Sequence, residues 1–167
     1  MLKISKIMAL HIVLVEPEIP PNTGNIARSC AATGTVLHLV KPLGFSIDDK
    51  SVKRAGLDYW PFVKLELHES LDEFMKKYGP CGENKIMYLA TTKGKYSYAE
   101  VNYKDEDMFL FGKETAGLPK PFIEEHKENT IRIPMSMDTR LRSLNLSNSA
   151  NIILFEALRQ LDFPDLK

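Results

Sequence analysis

Residues Thr130 to Gln160 read TIRIPMSMDTRLRSLNLSNSANIILFEALRQ, a stretch that places a strand, a polar loop and a helix one after another. The apolar run Thr130 to Ile133, which is closed by Pro134, is typical of a short buried strand. The loop from Ser136 to Ser149 is dense in hydroxyl and amide side chains. Because such side chains do not build a core, they must bond the backbone, cap a helix or contact a ligand.

The helix after this loop needs only one or two capping side chains, and we assign the cap to Ser147 or Asn148. The loop supplies further polar residues beyond that requirement, namely Ser143, Asn145 and Ser149. This surplus predicts a binding site at the start of the helix.

The helix, which is expected to extend to about Leu161, has one continuous apolar face. That face is formed at i, i+3, i+4 spacing by Ala150, Ile153, Leu154, Ala157, Leu158 and Leu161. Ile152 and Phe155 are also apolar but lie off this face. Two interpretations stay open: a deeply buried helix within the domain, or a helix whose second apolar side makes a homodimer contact.

The composition is that of an ordinary globular protein, and 167 residues are enough for one domain with a substantial core. A formal net charge of zero excludes a basic footprint over the whole molecule, although not a local basic patch. Two cysteines, Cys30 and Cys81, predict neither a disulfide scaffold nor a zinc site. Met1 to Leu10 is too short and too charged for a signal peptide, and no apolar run reaches membrane-spanning length, so we expect a cytoplasmic protein.

Short apolar strands alternate with helices along the chain. Strands are predicted at Ile12 to Val15, Val36 to Val40, Val63 to Leu67, Ile86 to Ala90, Met108 to Phe111 and Thr130 to Ile133. Besides the C-terminal helix, helices are predicted between Asn22 and Gly34 (with Asn22 or Thr23 as cap), at Asp48 to Arg54, at Leu71 to Tyr78 and at Pro121 to Lys127. This order predicts an α/β fold with a mostly parallel sheet and helices on both faces. The loops after Ala90, Phe111 and Ile133 all follow strands, so they are expected to converge on a ligand at one end of the sheet.

Several chemistries are excluded by missing motifs. Gly112 to Gly117 has the glycine spacing of a P-loop, but Leu118 and Pro119 stand where lysine and a hydroxyl residue are required. No nucleophile elbow of the G-x-S-x-G type occurs. The four histidines, His11, His38, His68 and His126, are scattered along the sequence, so we predict no metal site. Such a protein suits a small molecule that brings its own reactivity.

Three motifs, taken together and in this order, closely resemble the SPOUT superfamily of S-adenosylmethionine-dependent RNA methyltransferases. They are NTGNIARSCAATG (Asn22 to Gly34), FGKETAGLP (Phe111 to Pro119) and the IRIP…RSLNLSNSANIILFEALRQ stretch. The stretch PLGFSIDDKSVKRAGLDYW (Pro42 to Trp60) also resembles one of its subgroups. Within that superfamily the chain is similar to the small TrmL/YibK-type tRNA 2′-O-methyltransferases, which act on the wobble nucleotide. The similarity covers roughly Ile12 to Gln160.

The resemblance implies one domain over residues 1–167, with a deep C-terminal trefoil knot whose cofactor-binding part spans roughly residues 85–161. It implies S-adenosyl-L-methionine as cofactor and S-adenosyl-L-homocysteine as product, with no metal. The residues at the family's cofactor positions are Ala90, Gly112, Ile133 and Ser143, with Met135 and Leu144 as further wall. Gly112 and Gly117 would let the backbone approach the cofactor closely.

The resemblance also implies four catalytic positions, which are Asn22, Arg28, Glu114 and Asn145. Such proteins are homodimers, and Arg28 would work beside a pocket assembled with the partner subunit. A guanidinium does not deprotonate, so we assign Arg28 to stabilising the developing alkoxide and positioning phosphate, and Glu114 to orienting an arginine or backbone.

The implied reaction is 2′-O-methylation of cytidine or modified uridine at the wobble position. The implied partner is a tRNA anticodon stem-loop, held by Lys41, Lys53, Arg54, Lys93, Lys95, Arg140 and Arg142. Two alternatives stay open: methylation of rRNA or another tRNA position, and a non-catalytic RNA-binding protein on the same fold.

Overall fold

The computed structural model describes residues 9–48, 50, 58–79 and 85–167. The strands are β1 (His11–Val15), β2 (Val36–Val40), β3 (Lys64–His68), β4 (Met87–Ala90), β5 (Tyr96–Ser97), β6 (Met108–Phe111) and β7 (Thr130–Arg132). The α-helices are α1 (Pro20–Thr33), α2 (Leu71–Tyr78), α3 (Lys120–Glu125) and α4 (Leu146–Gln160), and 3-10 turns span Trp60–Phe62 and Lys127–Asn129. The helix predicted at Asp48 to Arg54 falls largely outside the described residues.

The seven strands form one sheet in the order β3-β2-β1-β6-β4-β7-β5. Every pairing between neighbouring strands is parallel. The predicted α/β class with a parallel sheet is therefore confirmed. No helix in the described part of the chain is both long and apolar enough to span a membrane.

Alternate residues of the strands build two separate cores, one on each face of the sheet. Ile12 and Leu14 of β1 join the core beneath α1 and α4. Val13 and Val15 join the core beneath α2 and α3, which contribute Phe74 and Phe122. Burial on both faces explains why the strands are apolar at consecutive positions rather than at every second one.

Strand β7 lies between β4 and β5, although those two strands are joined by only five residues. The connection therefore crosses β7 at very close range. Thr91 donates its backbone N–H to the Ile131 carbonyl over 3.0 Å, and a Cβ added to Gly94 would lie 2.3 Å from the Ile131 carbonyl carbon. Only a residue without a side chain fits at this crossing.

Two predicted helix caps were wrong. Helix α1 begins at Pro20, before the predicted caps Asn22 and Thr23, because Pro20 and Pro21 fit the first helical positions where no N–H is needed. Helix α4 is capped by Asn145, not by Ser147 or Asn148. The short strand β5 was also missed, since two residues carry no readable periodicity.

The predicted apolar face of α4 is confirmed. Ala150, Ile153, Leu154, Ala157 and Leu158 are all buried against the sheet and α1. Ile152 and Phe155, in contrast, are 37% and 45% exposed. The sequence analysis left open whether the helix is buried on all apolar sides or makes a homodimer contact. Burial on all apolar sides is wrong, because Ile152 and Phe155 are exposed.

Candidate active site

The loops after β4, β6 and β7 converge with the start of α4 on one cavity of about 580 Å³. Every residue predicted to contact a cofactor lines it: Ala90, Gly112, Ile133, Met135, Ser143 and Leu144. Three of the four predicted catalytic residues line it as well, namely Asn22, Glu114 and Asn145. The predicted convergence of the three loops is confirmed.

The turn after β6 forms one wall of this cavity and depends on two glycines. Lys113 and Gly117 form an isolated β-bridge, which folds the turn back on itself. A Cβ added to Gly112 would lie 1.9 Å from the Gly117 carbonyl carbon, and Gly117 itself has a φ of 70°. Gly112 leaves no room for a side chain, and Gly117 adopts a backbone conformation that favours glycine.

The carboxylate of Glu114 holds the start of α1. It accepts the backbone N–H of Glu18 over 2.8 Å and that of Ile19 over 3.1 Å. It also accepts the side-chain amide of Asn22 over 3.2 Å. Ile19 is the N-cap residue and has no side-chain cap, so Glu114 fixes the chain where it enters α1 rather than capping the first helical turn.

Asn22 links these hydrogen bonds to the start of α4. Its side-chain oxygen accepts the amide of Asn145 over 3.0 Å. The side-chain oxygen of Asn145 in turn accepts the Ser147 backbone N–H over 2.9 Å and the Asn148 N–H over 3.3 Å. We call the trio Glu114, Asn22 and Asn145 the cavity network.

Two acidic residues that the sequence analysis did not single out tie the β1–α1 loop to the cavity wall. Glu16 has a positive φ of 53° and pairs with Lys113 over 2.9 Å. Glu18 accepts the backbone N–H of Thr115 over 3.1 Å. A lone glutamate in a loop gives no sequence signal for such a partner, which lies almost a hundred residues away.

Arg28 is the one predicted catalytic residue outside the cavity lining. It lies six residues after Asn22 on α1, which is about 9 Å along the helix axis, and its side chain is exposed. Its guanidinium carbon sits 4.6 Å from the centre of the Tyr59 ring.

The basic residues predicted to contact RNA differ in their surroundings. Three of them pair with carboxylates: Lys41 with Glu69, Lys95 with Glu128 and Arg140 with Asp138. Arg142 lines the cavity and Lys93 is exposed. Lys53 and Arg54 lie outside the described residues.

A second polar cluster lies on the face of the sheet that packs against α2. Nδ1 of His11 is 2.9 Å from Nε2 of His38, and Nδ1 of His38 is 3.1 Å from Nε2 of His68. The histidines were predicted to be scattered, which is wrong for these three, because neighbouring parallel strands bring them side by side. We call them the histidine row; Phe74 and Tyr78 of α2 pack against its rings.

Burial sets the protonation of this row. It lowers the pKa of His38 to about 3, because a charged imidazolium would lose its water there. Burial also lowers the pKa values of His11 and His68. Burial alone would raise the pKa of the neighbouring Glu66, but hydrogen bonds from Lys77 and Tyr78 lower it to about 2.

His38, Glu66 and His68 offer ligand atoms within 4.8 Å of one another, a spacing that a metal ion could use. Both ring nitrogens of His38 are within hydrogen-bond distance of the other two histidines, however. The Glu66 carboxylate accepts a hydrogen bond from the Lys77 ammonium over 2.8 Å. Neutral imidazoles each offer one donor and one acceptor, so the row can satisfy itself as a chain of hydrogen bonds.

Comparison with known proteins places the chain in a family. The model of the SpoU rRNA Methylase family matches residues 9–155. A Methylovorus glucosotrophus (strain SIP3-4) protein named tRNA (cytidine(34)-2′-O)-methyltransferase is 48% identical, covering 91% of this chain and 96% of its own length.

Two solved structures share the fold. One, described as giving structural insights into the 2-OH methylation of C/U34 on tRNA, is 41% identical with a TM-score of 0.81, covering 93% of this chain and 97% of that chain. The SpoU methyltransferase AviRb from Streptomyces viridochromogenes, in complex with AdoMet, is 27% identical with a TM-score of 0.77, covering 91% of this chain and 60% of that chain. The motifs, the parallel sheet and these matches agree, and the chain belongs to the SpoU methylase family of RNA methyltransferases.

Proposed function

We propose that this protein transfers a methyl group from S-adenosyl-L-methionine to the ribose 2′-hydroxyl of the wobble nucleotide of a tRNA, a cytidine or a modified uridine. The observation that carries the proposal is the cavity, in which loops from three strands and the start of α1 bring together nine residues named from the family motifs. The relative from Methylovorus glucosotrophus, at 48% identity, bears the name of this reaction. A cytoplasmic location fits a tRNA substrate.

The cavity suits S-adenosyl-L-methionine in size and lining. Ligand pockets for small molecules have volumes of roughly 300–1,000 Å³, and this one has about 580 Å³. The bare backbone at Gly112, where any side chain would collide with the turn, leaves room for a flat group to lie against the wall. Ala90, Gly112 and Ile133 would hold the cofactor at the strand ends, with Met135, Ser143 and Leu144 closing over it.

The cofactor supplies an activated methyl group on a sulfonium, so the chain's own residues must mainly align the acceptor. Well-oriented reactants gain on the order of 7–11 kcal/mol of the barrier. Glu114 already accepts three hydrogen bonds and is used in holding α1 and Asn22, so its role is orientation rather than proton abstraction. Arg28 stabilises the developing 2′-alkoxide and the adjacent phosphate.

The site requires a second copy of the chain. Arg28 lies outside the cavity of its own subunit, and the exposed apolar residues Ile152 and Phe155 lie on the helix that starts at that cavity. In a homodimer joined through this side of α4, Arg28 of one subunit reaches the cavity of the other. The anticodon stem-loop then lies across both subunits.

The knot is part of the same proposal. We assign residues 1–167 to one domain and its knotted part to roughly residues 85–161. The support is the passage of the β4–β5 connection over β7 at Gly94, close to the loops that wall the cavity. A threaded chain would hold those loops in place without a bound ligand.

The test is methylation of tRNA by the purified protein with radiolabelled cofactor, followed by mass spectrometry of the nucleosides. We expect 2′-O-methylation at the wobble position of tRNA, and Arg28→Ala should abolish turnover while cofactor affinity stays within about twofold. If the radiolabelled methyl group is found in rRNA or at another tRNA position, that RNA is the substrate instead of the wobble nucleotide. Absence of cofactor binding would favour a non-catalytic RNA-binding protein.

Mixed dimers test whether the site is shared between subunits. Arg28→Ala and Gly112→Ala proteins are each expected to be inactive, one lacking the arginine and the other the cavity. If the arginine acts across the interface, co-refolded mixtures regain activity at one of the two sites of each heterodimer. Mixtures as inactive as the parents would place both functions within one subunit.

A further inference from the structure

The side chain of Arg28 is held on an aromatic ring rather than by a carboxylate. Its guanidinium carbon lies 4.6 Å from the Tyr59 ring centre, within the range of a cation–π contact. Within the described part of the chain Arg28 makes no ion pair, whereas Arg140 pairs with Asp138 and Arg159 with Glu156. The contact is therefore of a different kind from those of Arg140 and Arg159.

The difference matters for what the guanidinium can still do. A carboxylate partner occupies the N–H donors of an arginine and offsets its charge. A ring under the flat face of the guanidinium leaves its N–H edges available and its charge unneutralised. Stacking therefore orients an arginine and leaves its N–H donors and its charge available for a phosphate or an oxyanion.

Tyr59 is well placed to act as a fixed support. It directly precedes the 3-10 turn Trp60–Phe62, and its carbonyl accepts the Phe62 N–H over 2.9 Å. Trp60 packs against the core beneath α1 and α4. The turn then leads into β3, so the segment that carries the ring is joined to the sheet, and the ring contacts Arg28 of α1.

We propose that Tyr59 is a positioning residue for the Arg28 guanidinium, holding it by stacking while its donors face the RNA. The inference rests on the role proposed above for Arg28. Tyr59 itself touches neither the cofactor cavity nor, in this assignment, the reacting atoms. Removing the ring therefore lowers the rate of the chemical step and leaves cofactor binding intact.

The experiment compares Tyr59→Leu with Tyr59→Phe in the full-length dimer. Loss of the ring should lower kcat by about 3- to 30-fold, the range that a cation–π contact supplies, with KM for tRNA and cofactor affinity changed less than twofold. Tyr59→Phe keeps the ring and should restore most of kcat. Phe62→Leu is the matched control, because Phe62 is an aromatic residue of the same turn, 74% exposed, and should leave kcat unchanged.

A second measurement separates positioning from a general structural effect. In an Arg28→Lys background, which keeps the charge but not the planar guanidinium, Tyr59→Leu should cause a much smaller loss of kcat, because the flat group that the ring positions is gone. The same additional loss as in the wild-type background would overturn the inference, as would an effect confined to KM for tRNA.

The outcomes also distinguish this inference from the proposed function. If the wild type methylates tRNA and Arg28→Ala does not, but Tyr59→Leu turns over like the wild type, only the role of Tyr59 is refuted. If Arg28→Ala turns over normally, the role of Arg28 fails and the inference fails with it.

Discussion

The cavity network and the histidine row are both chains of polar side chains that join three segments distant in sequence. The cavity network links the loop after β6 to the starts of α1 and α4 through Glu114, Asn22 and Asn145. The histidine row links β1, β2 and β3 through three imidazoles. By hydrogen bonding alone the two would rank as equal candidates for a functional site.

Their surroundings separate them. The cavity network borders a space of about 580 Å³ beside a wall that only glycine can form. The row is closed by aromatic rings of α2, and His38 and His68 are 0% and 2% exposed. Buried polar groups must be satisfied wherever they occur, so satisfaction does not indicate function. A cavity beside the polar groups, with room for a ligand, does indicate a functional site.

The largest effect on stability and cofactor binding is expected at Gly112, because the cavity that distinguishes the cavity network from the histidine row depends on this residue. Gly112→Ala places a Cβ 1.9 Å from the Gly117 backbone, and backbone cannot move aside as a flexible side chain can. We expect a loss of at least about 3 kcal/mol in the free energy of unfolding and no detectable cofactor binding by calorimetry.

Gly117→Ala is the matched control for that substitution. An added Cβ meets nothing within 4 Å there, and only the φ of 70° is unfavourable. Its cost should stay near 1–2 kcal/mol. Equal losses in the two variants would show that backbone strain, and not collision within the wall, decides the shape of the turn.

A smaller effect is expected when the cavity network loses its acceptor. Glu114→Ala leaves the N–H groups of Glu18 and Ile19 without their partner, which should cost about 1–3 kcal/mol of unfolding free energy. Glu18→Ala is the control, since its carboxylate bonds only the exposed Thr115 among the described residues. Matching denaturant midpoints for the two variants would refute the role of Glu114 in holding the start of α1.

The smallest effect concerns the histidine row and appears as a dependence on pH. Burial lowers the pKa of His38 to about 3 from 6.5. Between these two pH values His38 is protonated in the unfolded chain and neutral in the folded chain. Stability is then highest above pH 6.5 and falls as the pH drops toward 3, by about 1.4 kcal/mol from His38 between pH 7.5 and 5.5.

His38→Gln should reduce that slope by the share of His38 in denaturant titrations between pH 7.5 and 5.5, whereas His11 and His68, whose pKa values burial also lowers, keep their own shares. Glu66 does not interfere there, because its lowered pKa of about 2 makes its contribution fall only below about pH 4.5. A slope unchanged by the substitution would show that His38 is not the group responsible.

Much of the secondary structure and most of the site residues could be predicted from the sequence. Periodicity and turn residues are local, so β2, β6 and α2 were predicted with the observed bounds. The three loops were expected to converge because the carboxyl ends of parallel strands share one edge of a sheet. The family motifs then named nine residues that line the same cavity.

Only the tertiary structure decided the rest, because the remaining features are contacts between segments far apart in the chain. The position of β7 between β4 and β5 is set by strand pairing, for which local pattern carries no code. The hydrogen bonds that Glu114 accepts at the start of α1 join residues more than ninety positions apart. The histidines align across three strands only once their register is set. Sequence therefore determined which elements form and where their loops end, whereas packing decided which side chains meet.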